Sequence, residues 1–453
     1  EIKNSEIEKD GRKAVLFFYK SIISYDLIVR YYTFVKYNID IYLKISFLML
    51  KNELINIIQS QKSWLTLIAN EIERETKNRF NIISPFAYIL TGVRRSGKST
   101  LLRQIMQLHN SENYFNFEDS RTVDFGLRDF YAVEEIFKEI NGSNQFMFFD
   151  EIQNVENWER YIRDAVDRGK TIILTGSNAK MLSAELGTKL TGRHLDFEVF
   201  PFSFREYLSF SSLNAGPEAF NQFIFNGGFP GYLQSQNPEL LSTLVSDILV
   251  RDIFARYNLK NHDAYRKVVQ FLLSNTGKEV SFNNLKNSFG IGSATSVMDF
   301  LNYLSDSYMV FMVPKYDTSL KVQARNPKKI YGIDQGLVNF SSVSGSPDYG
   351  RLLENAVFIE LRRRKNETWY FKGKHECDFI FREKQKPLSA MQVTWQLNVQ
   401  NEERETKGLL DAMNSLKLNV GTIITFNQED EIRINEKIIH IIPGWKWMSQ
   451  LPE

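Results

Sequence analysis

Residues 92–99 read Gly-Val-Arg-Arg-Ser-Gly-Lys-Ser, which completes the pattern G-x-x-x-x-G-K-[ST]. The apolar run before this segment, residues 86–90, predicts a strand, and the spacing after it predicts a helix from Thr100 to Leu108. A strand, a glycine-containing loop and a helix in this order wrap backbone N–H groups around a polyphosphate. The sequence therefore predicts a phosphate-binding loop within an α/β fold.

The loop residues have distinct expected roles toward ATP and Mg²⁺. Gly92 and Gly97 allow the backbone to turn inward, and the positive end of the following helix adds to the attraction. Lys98 is expected to reach the β- and γ-phosphates as a catalytic residue, and the Ser99 hydroxyl to ligate Mg²⁺. The predicted nucleotide-binding residues of the loop are Gly92, Val93, Arg94, Arg95, Ser96, Gly97, Lys98, Ser99 and Thr100.

Two carboxylates follow a second apolar strand. Residues 145–149 read Gln-Phe-Met-Phe-Phe, a run typical of a parallel sheet that is buried on both faces, and Asp150 and Glu151 come directly after it. Asp150 is expected to hold Mg²⁺. Glu151 is expected to polarise the attacking water in hydrolysis.

Later segments supply candidate residues for sensing or stabilising the γ-phosphate. The strand that begins at Thr171 ends in Ser177 and Asn178, which are expected beside the γ-phosphate, with a simple β–α turn as the alternative. Arg193 is a candidate for stabilising the transferring phosphoryl group, and a surface arginine is its alternative. The alternation of strands and helices predicts a doubly wound α/β sheet with the nucleotide at the carboxyl ends of the strands.

The order of these motifs resembles a family of prokaryotic AAA+ ATPases of the P-loop class. The matching segments are GVRRSGKS at 92–99, FFDEIQ at 148–153, LTGSN at 174–178, LTGR at 190–193, FPFSFREY at 200–207 and GGFP at 227–230. The resemblance covers roughly residues 52–445. It implies ATP binding and slow hydrolysis, and a carboxy-terminal domain of uncharacterised function, without implying a biological role.

Beyond an ATPase core over 49–210, the sequence predicts a helical lid and a winged helix over 211–330. Helical spacing over 240–257 indicates the lid, and three helices and a strand between 264 and 313 indicate the winged helix. Ten basic and five acidic residues over 260–330 favour contacts with DNA phosphates. The third helix carries no arginine or lysine, so a protein-contact module with the same fold is the alternative.

Residues 331–453 resemble a restriction-endonuclease-like α/β domain that has lost part of its metal site. Glu354 on a helix and Asp378 on a strand match two acids of such sites, where carboxylates gather around Mg²⁺. The position of the Glu-x-Lys motif reads Gln392-Val393-Thr394. Because an amide and a hydroxyl replace a carboxylate and an ammonium, we predict a degenerate domain without nuclease activity. Glu376 and Lys372 are the residues that could compensate.

Composition indicates a globular, multidomain chain with no charge-based preference for a partner. A length of 453 residues suggests about three domains, and the net charge is only +2. The single cysteine, Cys377, excludes an intramolecular disulfide and any multi-cysteine metal site, and fits a cytoplasmic setting. Charged residues interrupt the apolar region 15–50, so no membrane segment is predicted. Residues 1–48 are either upstream sequence or a genuine helical extension.

These features predict a nucleotide-driven switch of the AAA+ type that binds and hydrolyses ATP with Mg²⁺. The alternative is a DNA-binding protein whose ATPase tunes its grip. An ATP-regulated nuclease is disfavoured by the missing Glu-x-Lys. ATP is the predicted partner and DNA a candidate one, no membrane partner is expected, and the oligomeric state is left open.

Overall fold

The computed structural model describes residues 49–66, 71–80, 82, 85–177, 192–342 and 347–451. The segment 1–48 and Asn178, for which the sequence made predictions, lie outside these residues. Three sheets organise the described part: five parallel strands, three antiparallel strands and six mixed strands. In this part of the chain, none of the helices combines the length and apolar character that crossing a membrane requires.

The first sheet has the order β2-β3-β4-β1-β5 and is parallel throughout. Its strands are β1 (Ala87–Thr91), β2 (Tyr114–Asn116), β3 (Phe146–Asp150), β4 (Thr171–Gly176) and β5 (His194–Glu198). Side chains of β1 alternate between two cores, with Ala87 and Ile89 on one face and Tyr88 and Leu90 on the other. Burial on both faces explains the continuous apolar runs in the sequence.

Helices cover both faces of this sheet. They are α1 (Lys51–Thr66), α2 (Lys98–Leu108), α3 (Asp129–Asn141) and α4 (Trp158–Asp167), with short 3₁₀ turns at Glu75–Arg79, Ser120–Thr122 and Ile152–Asn154. The loop from β1 to α2 is the predicted phosphate-binding loop, and α2 begins at Lys98, two residues earlier than the spacing predicted. The predicted strand–loop–helix order is therefore present.

The segment that the sequence predicts as a lid, called the lid below, is a series of helices that contains one irregular turn. Its elements are α5 (Phe204–Ser211), α6 (Pro217–Asn226), α7 (Pro230–Ser235), α8 (Glu239–Asp247), a π-helical turn (Ile248–Phe254) and α9 (Ala255–Tyr257). Residues 240–257 are helical as predicted, and the middle of this stretch is a π turn instead of a regular α-helix. A π turn holds one more residue than an α turn, and here it carries Asp252 into a buried position that faces the phosphate-binding loop.

The segment after the lid forms a small helical module with the antiparallel sheet β6-β8-β7. Its elements are α10 (His262–Ser274), β6 (Glu279–Val280), α11 (Phe282–Phe289), α12 (Ala294–Asp306), β7 (Val310–Pro314), α13 (Leu320–Arg325) and β8 (Lys328–Gly332). Three helices and a following strand occur where the sequence predicted them. The hydrophobic core of this module is continuous with that of the lid and the carboxy-terminal part.

The carboxy-terminal part is a six-stranded sheet with the order β13-β14-β12-β11-β10-β9. Its elements are α14 (Gln335–Ser341), α15 (Tyr349–Arg363), β9 (Asn366–Lys372), β10 (Glu376–Glu383), β11 (Ser389–Val393), α16 (Glu402–Leu416), β12 (Val420–Thr425), β13 (Asp430–Ile434), β14 (Lys437–Pro443) and α17 (Gly444–Ser449). Strands β9, β10 and β11 are antiparallel, and β12 pairs in parallel with β11 after the crossover through α16. Apolar side chains of α15 and α16 belong to two separate cores.

Candidate functional site

The loop between β1 and α2 adopts a conformation that needs glycine at two positions. Gly92 has φ +151°, and a Cβ there would lie 2.2 Å from the carbonyl oxygen of Val199. Gly97 has φ +94°, and a Cβ there would lie 2.3 Å from Nη1 of Arg74. Arg95 also has a positive φ of 61°. The backbone is thus held in turns that most residues avoid, as expected of a loop that closes around a ligand.

A cleft of about 650 Å³ opens over this loop. Arg94, Arg95, Gly97, Lys98, Ser99 and Thr100 line it from the loop side, so six of the nine predicted loop residues face the same space. Lys98 Nζ donates to the carbonyl oxygens of Gly92 and Val93, each at 3.1 Å, and lies 4.0 Å from Glu151 Oε1. The ammonium is therefore held by the loop carbonyls, and Glu151 lies at the outer limit of an ion-pair distance. Of the remaining loop residues, Val93 and Ser96 are buried.

Asp150 lies at the end of β3 and is surrounded by hydroxyl groups. The Tyr114 hydroxyl donates to Oδ2 at 3.1 Å, and the Thr175 and Ser99 hydroxyls also hydrogen-bond to the carboxylate. Burial and the neighbouring charge of Glu151 raise the pKa of Asp150, while the hydroxyl donors lower it. A buried carboxylate beside a serine hydroxyl is an oxygen set that fits Mg²⁺, whose charge would favour the ionised form.

Thr175 fixes both acidic residues and was missed by the sequence analysis. Its hydroxyl contacts Asp150 and accepts the backbone N–H of Glu151 at 2.9 Å. Glu151 has φ +53°, which turns its side chain into the cleft that also holds Lys98. The sequence analysis identified the segment that contains Thr175, but it predicted Ser177 and Asn178 of that segment as the functional residues.

The lid closes one side of the cleft through two ion pairs with the loop. Arg94 donates to both carboxylate oxygens of Asp252, at 2.7 and 2.9 Å, and Arg95 lies 3.5 Å from Asp247. Burial lowers the pKa of Arg94, but the bonds and charge of Asp252 outweigh this and raise it. Arg251 also lines the cleft from the lid. No local sequence pattern could have indicated these partners, because Arg94 and Asp252 are 158 positions apart.

The Arg74 side chain, which is 1% exposed, stabilises the loop through hydrogen bonds. Its guanidinium donates to the carbonyl oxygens of Ser96 and Phe200, each at 2.7 Å, and to Glu206 Oε1 at 2.9 Å. Glu206 in turn completes the capping box of α5 with Ser203. The phosphate-binding loop and the start of the lid are therefore joined through one buried ion pair.

Besides Asp150 and three buried residues of the loop, two further predicted residues do not line this cleft. Ser177 is buried at the end of β4, and among the described residues its hydroxyl has no hydrogen-bond partner. Arg193 lies at the opposite edge of the sheet, where its carbonyl oxygen accepts the N–H of Ala87 at the start of β1. Its half-exposed guanidinium pairs with Asp167. Arg193 is therefore an exposed arginine that does not line the cleft of its own chain, and its role toward a phosphoryl group stays a prediction.

A second cleft, of about 740 Å³, gathers the residues of the predicted degenerate metal site. Glu354 on α15, Glu376 and Asp378 on β10, and Gln392 and Thr394 at the end of β11 line it. The predicted acids are therefore neighbours in space. The cleft also contains residues that the sequence analysis missed.

Both the oxygen and the nitrogen of the Gln392 side-chain amide form hydrogen bonds. Its Oε1 accepts the backbone N–H of Asp378 at 3.1 Å, and its Nε2 donates to Glu405 Oε2 at 2.7 Å. Lys372 does not supply the missing ammonium, because it pairs with Glu279 of the helical module at 2.9 Å. The cation that lies among the acids is Lys329 of β8.

Family profiles match two stretches of the chain. A profile described as an AAA domain matches residues 84–208, and one described as a domain of unknown function (DUF8612) matches residues 217–347. The first match confirms the AAA+ part of the predicted resemblance. The nuclease-like interpretation of residues 331–453 stays a prediction.

Two curated relatives align over most of their length. An uncharacterised protein of Methanocaldococcus jannaschii, MJ1544, is 36% identical over an alignment of 391 positions, which covers 79% of this chain and 87% of the relative. An uncharacterised protein of Haemophilus influenzae is 30% identical over an alignment of 355 positions, which covers 73% of this chain and 88% of the relative.

Solved structures overlap with the chain only in part. The STAND ATPase PH0952 of Pyrococcus horikoshii has a TM-score of 0.27 at 12% identity, covering 66% of this chain and 47% of that one. AMPPCP-bound DnaA of Aquifex aeolicus has a TM-score of 0.26 at 12% identity, covering 53% and 89%. At such scores the family assignment rests on the sequence matches. The chain belongs to the family of AAA-domain proteins that includes MJ1544.

Proposed function

We propose that the chain binds ATP with Mg²⁺ in the cleft at the β1–α2 loop, hydrolyses it, and uses the cycle as a switch. The observation that carries the proposal is the convergence of four groups at one end of the parallel sheet. Lys98, Ser99 and Glu151 line the cleft, and Asp150 hydrogen-bonds to Ser99 behind them. Each group has the chemistry that phosphoryl transfer from a nucleotide needs.

The residues divide the reaction between binding and water activation. The loop N–H groups and the start of α2 would cradle the phosphates, and Lys98 would exchange its two carbonyl acceptors for phosphate oxygens. Ser99 and Asp150 would hold Mg²⁺, which supplies positive charge beside the phosphates. Glu151, placed by the Thr175 hydroxyl, would accept a hydrogen bond from the attacking water. Arg251, which is exposed in the cleft, would add positive charge from the lid.

Three contacts would pass the nucleotide state to the rest of the chain. Arg94 and Arg95 link the loop to the lid, and the Tyr308 hydroxyl, from the helical module, donates to Thr91 Oγ1 at 2.7 Å. Thr91 directly precedes Gly92, so a change in the loop would alter this buried hydrogen bond with the module. This supports a switch in which phosphate binding shifts the lid and the carboxy-terminal part.

Phosphate release from ATP by the purified full chain tests the proposal. Glu151→Gln should bind Mg-ATP with little change but release phosphate at least about a hundredfold more slowly, since the water loses its base. Glu112→Gln is the matched control, because Glu112 is an exposed glutamate outside the cleft. Turnover by Glu151→Gln at the control's rate would contradict the proposal.

A second candidate, an ATP-dependent DNA-binding protein, is favoured by the helical module. Its order of helix, short strand, two helices and two strands, with the short helix α13 between the last two strands, resembles a winged helix, the fold we propose for it. Against this candidate, Lys328 caps the carbonyl oxygens of α13 and Lys329 is buried, so two of the local basic residues do not face solvent freely.

Filter binding of duplex DNA at several salt concentrations, with and without ATP, separates the candidates. Retention that falls steeply with salt and depends on ATP would favour DNA binding.

A further inference from the structure

The guanidinium of Arg94 forms hydrogen bonds along one edge and leaves a second edge available. Its Nε and Nη2 donate to the two carboxylate oxygens of Asp252, at 2.7 and 2.9 Å. The third nitrogen, Nη1, lies 3.7 Å from Glu118 Oε1, which is beyond hydrogen-bond distance. Within the described residues, the N–H groups of Nη1 therefore have no acceptor.

The two carboxylates beside Arg94 differ in burial. Asp252 is 3% exposed and belongs to the π-helical turn of the lid, whereas Glu118 is 55% exposed. Separating a buried ion pair is costly, because it leaves a charge without a partner, whereas an exposed pair contributes little to stability. Arg94 can therefore exchange the contact with Glu118 for another anion while it keeps Asp252.

The second edge of Arg94 faces the cleft that we assign to the nucleotide. Arg94, Glu118 and Glu151 all line this cleft. Burial lowers the pKa of Arg94, but the bonds and charge of Asp252 outweigh this, and the charge of Glu151 raises it further. Because such an effect weakens with distance, the guanidinium lies near Glu151, on the side of the cleft where the attacking water and the γ-phosphate are expected.

We propose that Arg94 Nη1 contacts the γ-phosphate during hydrolysis and that Asp252 positions the guanidinium for this contact, an inference that rests on the proposed ATPase function. The water oxygen bonds to the γ-phosphorus while the bond from this phosphorus to the bridging oxygen breaks, and the electron pair of the broken bond leaves with ADP. Glu151 takes the proton of the water. Arg94 adds a charged donor to the oxygens of the transferring group, a role that arginine has in other phosphoryl-transfer enzymes. Because Asp252 belongs to the lid, the donor is oriented only while the lid contacts the loop.

Phosphate release and Mg-ATP binding by the full chain test this proposal in matched variants. Arg94→Lys keeps the charge but loses the fork, and one ammonium cannot both hold Asp252 and reach a phosphate. The kcat of this variant should fall at least about tenfold, while the Kd for Mg-ATP changes by no more than about threefold. Arg168→Lys is the matched control with an unchanged kcat, because Arg168 contacts both carboxylate oxygens of Glu134 outside the cleft.

Asp252→Asn tests the positioning role. It should lower kcat about fivefold with little change in the Kd for Mg-ATP, and adding it to Arg94→Lys should cause no further loss, because both changes act through one contact. A kcat of Arg94→Lys within about threefold of wild type, or equal fold losses of kcat and affinity, would overturn the inference. Losses that multiply in the double variant would overturn it as well. If Arg94→Lys does not fold, the expected split between kcat and Kd is measured on Asp252→Asn.

Glu151→Gln distinguishes a failure of this inference from a failure of the proposed function. Slow turnover by Glu151→Gln together with wild-type turnover by Arg94→Lys would overturn only the role of Arg94. An absence of ATP turnover in the wild-type chain would overturn the ATPase function, and the role of Arg94 with it.

Discussion

Replacing Arg74 by methionine should destabilise the chain and weaken ATP binding together. Arg74 and Glu206 form an ion pair in which the side chains are 1% and 2% exposed. Burial raises the pKa of Glu206, but the charges of Arg74 and Arg363 more than offset this and lower it. Removing the arginine would leave this carboxylate buried with less compensation.

The expected loss of unfolding free energy follows from the partners that remain. Breaking a buried ion pair by removing one partner costs about 3–5 kcal/mol. Glu206 keeps two backbone donors, the N–H groups of Ser203 and Glu75, each at 2.9 Å, so about 3 kcal/mol is expected. The Ser96 carbonyl oxygen in the loop also loses the hydrogen bond from Arg74. This loss should weaken ATP binding about tenfold.

Urea unfolding followed by far-UV circular dichroism measures the first effect, and nucleotide titration the second. Lys77→Met is the matched control, because Lys77 forms an exposed pair with Glu73 in the same region and should cost no more than about 1 kcal/mol. Arg74→Met with Glu206→Met should recover part of the loss, since the carboxylate is no longer buried without Arg74, although the N–H groups of Ser203 and Glu75 lose their acceptor. A single variant within about 1 kcal/mol of wild type, or a double variant as unstable as the single one, would refute the reasoning.

Three further outcomes are expected. Lys98→Ala should abolish tight ATP binding while circular dichroism stays that of wild type, because the lysine contacts the phosphates directly; turnover at the normal rate would be incompatible with the assigned site. Burial raises the pKa of Asp334 to about 6, so the folded state holds the proton of this carboxyl more tightly than the unfolded state does. The free energy of unfolding therefore falls as pH rises toward and through about 6. Between pH 5 and 7.5 the free energy of unfolding measured with urea should fall by about 1.4 kcal/mol because of this group, and the Asp334→Asn variant should not show this fall. Plasmid and single-stranded DNA should stay uncut in Mg²⁺ and Mn²⁺, whereas cleavage that Asp378→Ala removes would show an active nuclease site.

The fold of the ATPase part could be predicted from local sequence because its strands are buried on both faces. Apolar runs such as 146–149 mark strands with little ambiguity, and the glycine-containing loop fixes the turn between β1 and α2. The carboxyl ends of parallel strands share one edge, so residues following β1 and β3 had to meet. Lys98, Asp150 and Glu151 were therefore predictable as neighbours.

Contacts between distant parts of the chain could not be predicted in the same way. Arg74 sits in a short segment without strand or helix periodicity, and its partner Glu206 is 132 positions away. Lys329 was counted among basic residues facing DNA, since nothing in its local pattern marks an inward direction. In each case the partner is set by the packing of separate elements, which periodicity does not encode. Arg193 differs from these residues, because its sequence motif was clear but the edge of the sheet on which it lies could not be predicted from that motif.

The π-helical turn in the lid determines how two carboxylates of this segment are directed. In a regular α-helix each residue advances by about 100°, so Asp247 and Asp252 would point about 140° away from each other. The additional residue of the π turn offsets most of this angle, because its hydrogen bonds join residues five positions apart. Both carboxylates can therefore face the loop, where they contact Arg95 and Arg94. A substitution that returns Ile248–Phe254 to a regular α-helix should thus separate the two ion pairs even if both aspartates are kept.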